Sequence, residues 1–138
     1  MEITLKRADF ERMVEHARAQ LPHEACGLIA GVEEQGVRQI KKVYLLTNLD
    51  ASAEHFSLSP QEQLAAIKDM RALQIKPLGN WHSHPQSPSR PSEEDKRLAY
   101  DYQASYLILS LEDEQHPVLN SFHIEEGVSS REELRILD

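Results

Sequence analysis

Two histidines separated by one residue, His82-Ser83-His84, are followed a short way along the chain by Asp95. Side chains two apart on a strand point to the same face, so both imidazoles can converge on one point. A metal needs that from two ligands with little chain between them. Asp95 stands near the expected start of a helix, and a carboxylate aimed inward from there is costly unless a cation meets it. Two histidines and one carboxylate make a typical catalytic zinc set and leave the fourth tetrahedral position to water. A structural zinc site is more often closed by cysteines, and this chain has one, Cys26.

Catalysis then requires a base. Zinc lowers the pKa of its water to about 7, and a nearby carboxylate can take the proton and hand it to the leaving amine. Glu24 is the candidate. It lies in Pro22-His23-Glu24-Ala25-Cys26-Gly27, between a helix stop and an apolar strand, where a surface glutamate has no evident purpose. Ser92, just before Asp95, is placed to donate to a developing oxyanion. Plainer readings stand beside these. The two histidines can be satisfied by strand neighbours, and Glu24 can be a solvated residue after a helix. Ser92 and Asp95 also read as an ordinary capping box. Cys26 reads as a small buried hydrophobe. His16, His23, His55, His116 and His123 show no ligand spacing, and Trp81 and the tyrosines read as core.

These groups need a frame to position them. The pattern predicts a short strand over residues 3–6. Phe10, Met13, Val14, Ala17 and Leu21 recur at helical spacing, which predicts a helix over 9–21 stopped by Pro22. Residues 27–33 and 37–46 read as a hairpin around Glu34-Gln35-Gly36, and 47–57 as irregular. Ser59-Pro60-Gln61-Glu62 predicts a helix start with a serine cap and a capping-box glutamate. Leu64, Ile67, Met70 and Leu73 form the expected apolar face of that helix. A strand over 77–83, a Pro/Ser loop over 84–91 and a third helix from Ser92 to about Tyr102 follow. On that helix Asp95 shares a face with Leu98, Ala99 and Tyr102, expected to pack on the sheet. Strands over 106–111 and 118–124, and a last one over 134–137, complete the chain. The fold class is α/β in the α+β sense, a central mixed sheet flanked by about three helices.

A chain of 138 residues suits a single domain, 1–138, able to bury one sizeable core. No apolar run reaches the roughly 18–20 residues that cross a bilayer, and no secretion signal is visible at the start. One cysteine cannot form an internal disulfide, which fits a reducing cytoplasm. A net charge of −8 repels phosphate backbones, so neither nucleic acid nor a membrane is an expected partner.

The motif as a whole, His82-Ser83-His84-Pro85, then Pro91-Ser92, then Asp95, resembles that of the JAMM metalloproteases, the active form of the MPN domain. Glu24-Ala25-Cys26-Gly27-Leu28-Ile29-Ala30-Gly31 resembles the family's segment carrying the catalytic glutamate, and the likeness extends over nearly the whole chain. It implies a cytidine-deaminase-like fold with one Zn2+ held by His82, His84 and Asp95, Glu24 as base and Ser92 as oxyanion donor. It also implies cleavage after the Gly-Gly tail of a ubiquitin-like protein. The compact form resembles prokaryotic members that process sulfur carriers, where a thiocarboxylated tail becomes joined to cysteine and the protease releases the amino acid. Asn80-Trp81 departs from the family pattern ahead of His82 and bears on the substrate groove. The cysteine/histidine set for a second, structural zinc is absent. Two competing readings remain at this level: a catalytically silent MPN domain serving as a scaffold, and a thiol hydrolase using Cys26.

Overall fold

The chain forms seven strands: β1 (Glu2–Lys6), β2 (Cys26–Glu34), β3 (Val37–Leu46), β4 (Lys76–His84), β5 (Ser105–Ser110), β6 (Val118–Glu125) and β7 (Val128–Leu137). Three helices interrupt them: α1 (Arg7–Gln20), α2 (Pro60–Leu73) and α3 (Glu93–Leu98). The computed structural model describes residues 1–138. No helix is long and apolar enough to cross a membrane.

The sheet is mixed, with three helices around it. It does not stay open, however, but closes into a barrel in the order β1-β3-β2-β4-β5-β6-β7. The closing pair is β1 with β7, running parallel from Glu2 opposite Glu133 to Lys6 opposite Leu137. β7 is ten residues long, whereas the apolar pattern marks only its last few. The reason is that the most buried position of β7 is a charge. Glu132 is 4% exposed.

That carboxylate ties three strands together. Its Oε1 accepts from Ser105 Oγ on β5 and Ser121 Oγ on β6, both at 2.8 Å, and its Oε2 lies 3.0 Å from His123 Nε2. Arg38 on β3 donates to Ser105 Oγ at 2.8 Å and to Glu33 at 2.9 Å, joining the opposite side of the barrel. The hydrogen bond to Glu132 raises the His123 pKa, while burial of Glu132, which acts upward, is outweighed by its bonds to His123, Ser121 and Ser105. A raised histidine stabilises fully below its unfolded value of 6.5, and that contribution fades as pH rises through the folded value. A lowered glutamate stabilises above its unfolded value of 4.5 and loses this as pH falls. The pair therefore contributes most between these two values. Glu132→Ala, which leaves a partly buried imidazole and two buried hydroxyls unmatched, is expected to cost about 3 kcal/mol in urea unfolding near pH 5.5. The deficit should shrink as pH rises through the raised His123 value and the imidazole loses its charge; a deficit unchanged across that rise would remove His123 from the clasp.

The core lies between the barrel and α1, where Met13, Val14 and Ala17 meet Ile3, Leu5, Ile29, Val43, Trp81, Leu107 and Leu109. α2 covers the other face through a smaller cluster of Ala30, Ala66 and Met70, with Ile67 packed beside it. The expected face of α2 is thus rotated. Leu64 and Leu73 are more than half exposed, and Ala66 and Met70 take the contact instead, packing on Ala30 of β2. Ser59 caps α2 as expected, its Oγ accepting from the Glu62 amide. Glu62 does not return the bond; its carboxylate instead takes the Thr47 amide at 2.8 Å and the Thr47 hydroxyl at 2.9 Å.

α3 departs most from expectation. It ends at Leu98 rather than near Tyr102, buries no residue, and leaves Leu98, Tyr100 and Tyr102 exposed. Trp81, by contrast, is fully buried as expected. Spacing alone suggested an amphipathic face, but a helix this short is held by its cap: Ser92 Oγ accepts from the Asp95 amide and Asp95 accepts from the Ser92 amide.

Candidate active site

β4 delivers its side chains to two faces. Trp81 and Ser83 point toward the α1 side, and His82 and His84 point away from it. Trp81 donates its indole N–H to the Tyr44 carbonyl at 3.1 Å and lies across Gly27 of β2. A Cβ at Gly27 would stand 2.4 Å from Trp81 Nε1 and 1.8 Å from the Tyr44 oxygen, so only glycine permits β2, β3 and β4 to meet there. Ser83 clamps the segment bearing Glu24. Its Oγ accepts from the Ala25 amide at 2.8 Å, and its own amide donates to the Ala25 carbonyl at 2.9 Å. Ser83→Ala strands the buried Ala25 amide and is expected to lower stability by about 1–3 kcal/mol, measured as a shift of the denaturant midpoint. A shift of only a few tenths would mean that water replaces the hydroxyl.

Three ligand atoms converge on the outer face. His82 Nε2 and His84 Nε2 are 3.1 Å apart, and Asp95 Oδ2 lies 3.3 Å from the first and 3.1 Å from the second. Atoms about 2.0–2.1 Å from a tetrahedral zinc stand roughly 3.3 Å from one another. The donor set and its spacing fit such an ion. Without a cation or a shared proton, three lone pairs at this separation repel. The chain supplies the outer support a metal-binding imidazole requires: His84 Nδ1 lies 2.9 Å from the Pro88 carbonyl, which directs Nε2 to the cluster. His82 stacks on Phe56 with ring centroids 4.7 Å apart. Burial acts to raise the Asp95 pKa, but hydrogen bonds from His82 and His84 hold it well below the usual carboxylate range. Burial acts to lower His84, and the bond to Asp95 outweighs it and raises the imidazole.

Glu24 is 4% exposed, and its Oε1 is buried with no hydrogen-bond partner. Burial pushes its pKa up to about 8, while the charge of His84 acts in the opposite direction. Its backbone is held from the loop over 47–58. The Glu24 amide donates to the Ser52 carbonyl at 2.7 Å, and Asn48 Nδ2 donates to the Glu24 carbonyl at 3.1 Å. Asn48 also binds the His55 carbonyl and accepts from the amides of Asp50 and Ser57, making it the hub of that loop. Ser83, Asn48 and the Pro88 carbonyl are supports that sequence reasoning did not single out. An asparagine flanked by turn residues was the available signal for Asn48; Ser83 and Pro88 offered none beyond proximity to the histidines.

Ser92 is joined to the cluster through Asp95, its amide donating to Oδ2 at 2.9 Å while its Oγ accepts from the Asp95 amide at 3.0 Å. Neither bond uses its hydroxyl hydrogen. Capping and convergence on the histidines thus coexist in Asp95. Cys26 is fully buried, and burial pushes its thiol up to about 12, which leaves no thiolate for nucleophilic attack near neutral pH. A groove of about 630 Å³ opens beside the cluster, lined by His82 and Asp95. Its floor follows β4 back to Lys76, between a wall that includes Glu54, His55 and Phe56 and another formed by the connector after α3.

Residues 6–125 match the family described as prokaryotic homologs of the JAB domain. The chain belongs to this family. The JAB-domain chain is 32% identical over 133 residues to the CysO-cysteine peptidase of Mycobacterium tuberculosis, covering 96% of this chain and 90% of that protein. It is 29% identical over 97 residues to the desampylase of Haloferax volcanii, covering 70% of this chain and 68% of that protein. A solution structure of a protein from Desulfitobacterium hafniense superposes with a TM-score of 0.90 at 50% identity, covering 99% of this JAB domain and 94% of that chain.

Proposed function

We propose that this JAB-domain protein is a zinc peptidase that hydrolyses the bond following the C-terminal Gly-Gly tail of a ubiquitin-like sulfur-carrier protein. The observation that carries the reading is the convergence of His82 Nε2, His84 Nε2 and Asp95 Oδ2 at zinc-ligand spacing, beside a buried glutamate with an unpartnered oxygen. Likeness to a peptidase named for a cysteine adduct of CysO supports the substrate class.

His82, His84 and Asp95 would hold the zinc. Zinc bound there supplies Lewis acidity, which polarises the scissile carbonyl and makes water acidic near neutral pH. Glu24 accepts the proton of the attacking water and returns it to the leaving amine, so that it ends the cycle ionised as it began. Burial holds the Glu24 carboxyl up, near 8, and a positive charge held by His82, His84 and Asp95 would favour its ionised, proton-accepting form. Ser92 donates its free hydroxyl hydrogen to the developing oxyanion. The groove along β4 receives the extended tail, and a two-glycine end lets the backbone approach the cluster closely.

The test is incubation of the zinc-loaded protein with a ubiquitin-like carrier whose Gly-Gly tail is extended by one cysteine, with products read by mass. Loss of one cysteine residue is the expected result. An intact substrate after long incubation with fully loaded protein would sink the reading and leave a scaffold role in its place.

A further inference from the structure

The two histidines of the cluster are supported unequally. His84 finds an acceptor for its second ring nitrogen in the Pro88 carbonyl, 2.9 Å from Nδ1. His82 finds none: its Nδ1 is buried and has no hydrogen-bond partner. An imidazole that binds a cation through Nε2 keeps its proton on Nδ1, and a bond from that N–H ordinarily fixes the orientation of the ring. The torsion that turns an imidazole on its Cβ is broad, so without such a bond only packing keeps Nε2 aimed at the cluster.

The group packed against the face of that ring is Phe56. The two centroids are 4.7 Å apart and the planes differ by 23°, a near-parallel stack. The loop over 47–58 pins the phenyl from both sides. Asn48 donates to the His55 carbonyl at 2.9 Å and accepts from the Ser57 amide at 3.1 Å, so one side chain binds both neighbours of Phe56. The stack also responds to a metal. A cation on Nε2 draws electron density out of the imidazole, and the negative face of a phenyl ring favours an electron-poor partner. The contact is therefore stronger in the loaded site than in the empty one. We propose that Phe56 is a positioning residue for the metal, which fixes the plane of His82 where no hydrogen bond does so and thereby raises zinc affinity. This inference rests on the zinc-binding part of the reading above and not on the substrate.

The experiment measures zinc affinity by competition with a chromophoric chelator, together with ring-nitrogen NMR of the histidines in zinc-loaded protein. Phe56→Leu keeps an apolar side chain but removes the flat face. It should bind zinc roughly ten- to a hundredfold more weakly, while the metal-free variant melts close to the metal-free wild type. Phe56→Tyr, which keeps the ring, should recover most of the affinity and guards against a leucine variant that folds poorly. In Phe56→Leu the ring-nitrogen signals of His82 should move or broaden, and those of His84, held by Pro88, should stay. Wild-type zinc affinity in Phe56→Leu would overturn the assignment. So would equal disturbance of both histidines with faster amide exchange throughout residues 47–58, since Phe56 would then only anchor the loop. A wild type that holds no zinc would remove the metal site and this inference together. Loaded protein that cuts no Gly-Gly-tailed carrier would remove the peptidase reading alone, and the affinity loss in Phe56→Leu would still support the assignment.

Discussion

Glu24→Gln is expected to bind zinc as the wild type does and to cleave a Gly-Gly-tailed carrier roughly 10²–10⁴ times more slowly. Glutamine preserves the volume and the backbone bonds to Ser52 and Asn48, which use only main-chain atoms of residue 24. What it removes is the proton acceptor. The buried Oε1 has no partner within the chain, so the substitution breaks no side-chain bond at that atom. The carboxylate contributes through a pKa that burial raises and the charge of His84 opposes. Stability should accordingly hold or rise, as is common when a functional ionisable group is neutralised. Zinc content and single-turnover rate, measured on one preparation, decide the matter. A variant that retains both zinc and rate would take Glu24 out of the chemistry.

His82→Ala and Asp95→Ala should each abolish tight zinc binding and, with it, all measurable cleavage. The wild type should hold about one zinc per chain after stripping and controlled reloading. The two variants fail for different reasons. Without His82, one of three ligands is gone and Phe56 loses the ring on which it stacks. Without Asp95, the two imidazoles lose their carboxylate and α3 loses half its capping box, because the same oxygen serves both. The Asp95 variant should therefore also loosen the 85–99 segment, visible as faster amide exchange there, whereas the His82 variant should not. Chelation should mimic both losses, and thiol alkylation should leave the rate intact, since Cys26 is buried. Wild-type protein that retains no zinc under these conditions would turn the constellation into a buried polar cluster.

Much of this site was legible from residue type and spacing. His82 and His84 share a face because strand geometry has a period of two, which no tertiary contact alters. Ser92 and Asp95 announce a helix start through local capping chemistry, and both bonds of the box are present. The long helix α1 and the hairpin of β2 and β3 also followed from periodicity, since each carries its own apolar pattern over many residues. Where the pattern misled, the competing force was packing. Large apolar residues marked one face of α2, yet the sheet accepted a face turned toward Ala66, with Met70 and Ile67 kept and Leu64 and Leu73 left outside. Leu98 and Tyr102 completed a helical stripe that met no partner, and with no apolar face to bury α3 ends at Leu98.

The sequence by itself determined which groups are able to bind a cation and how each is locally presented, because strand period and capping are properties of a few consecutive residues. Only the tertiary structure decided that Glu24 is sealed beside that cluster, that Asn48 and Ser83 hold it there, and that Glu132 lies inside a closed barrel. Burial, and the pKa shifts and unpartnered atoms that come with it, depends on which distant segments cover a residue. β1 reaching β7 and the 47–58 loop reaching Glu24 are long-range contacts, and no local pattern encodes them.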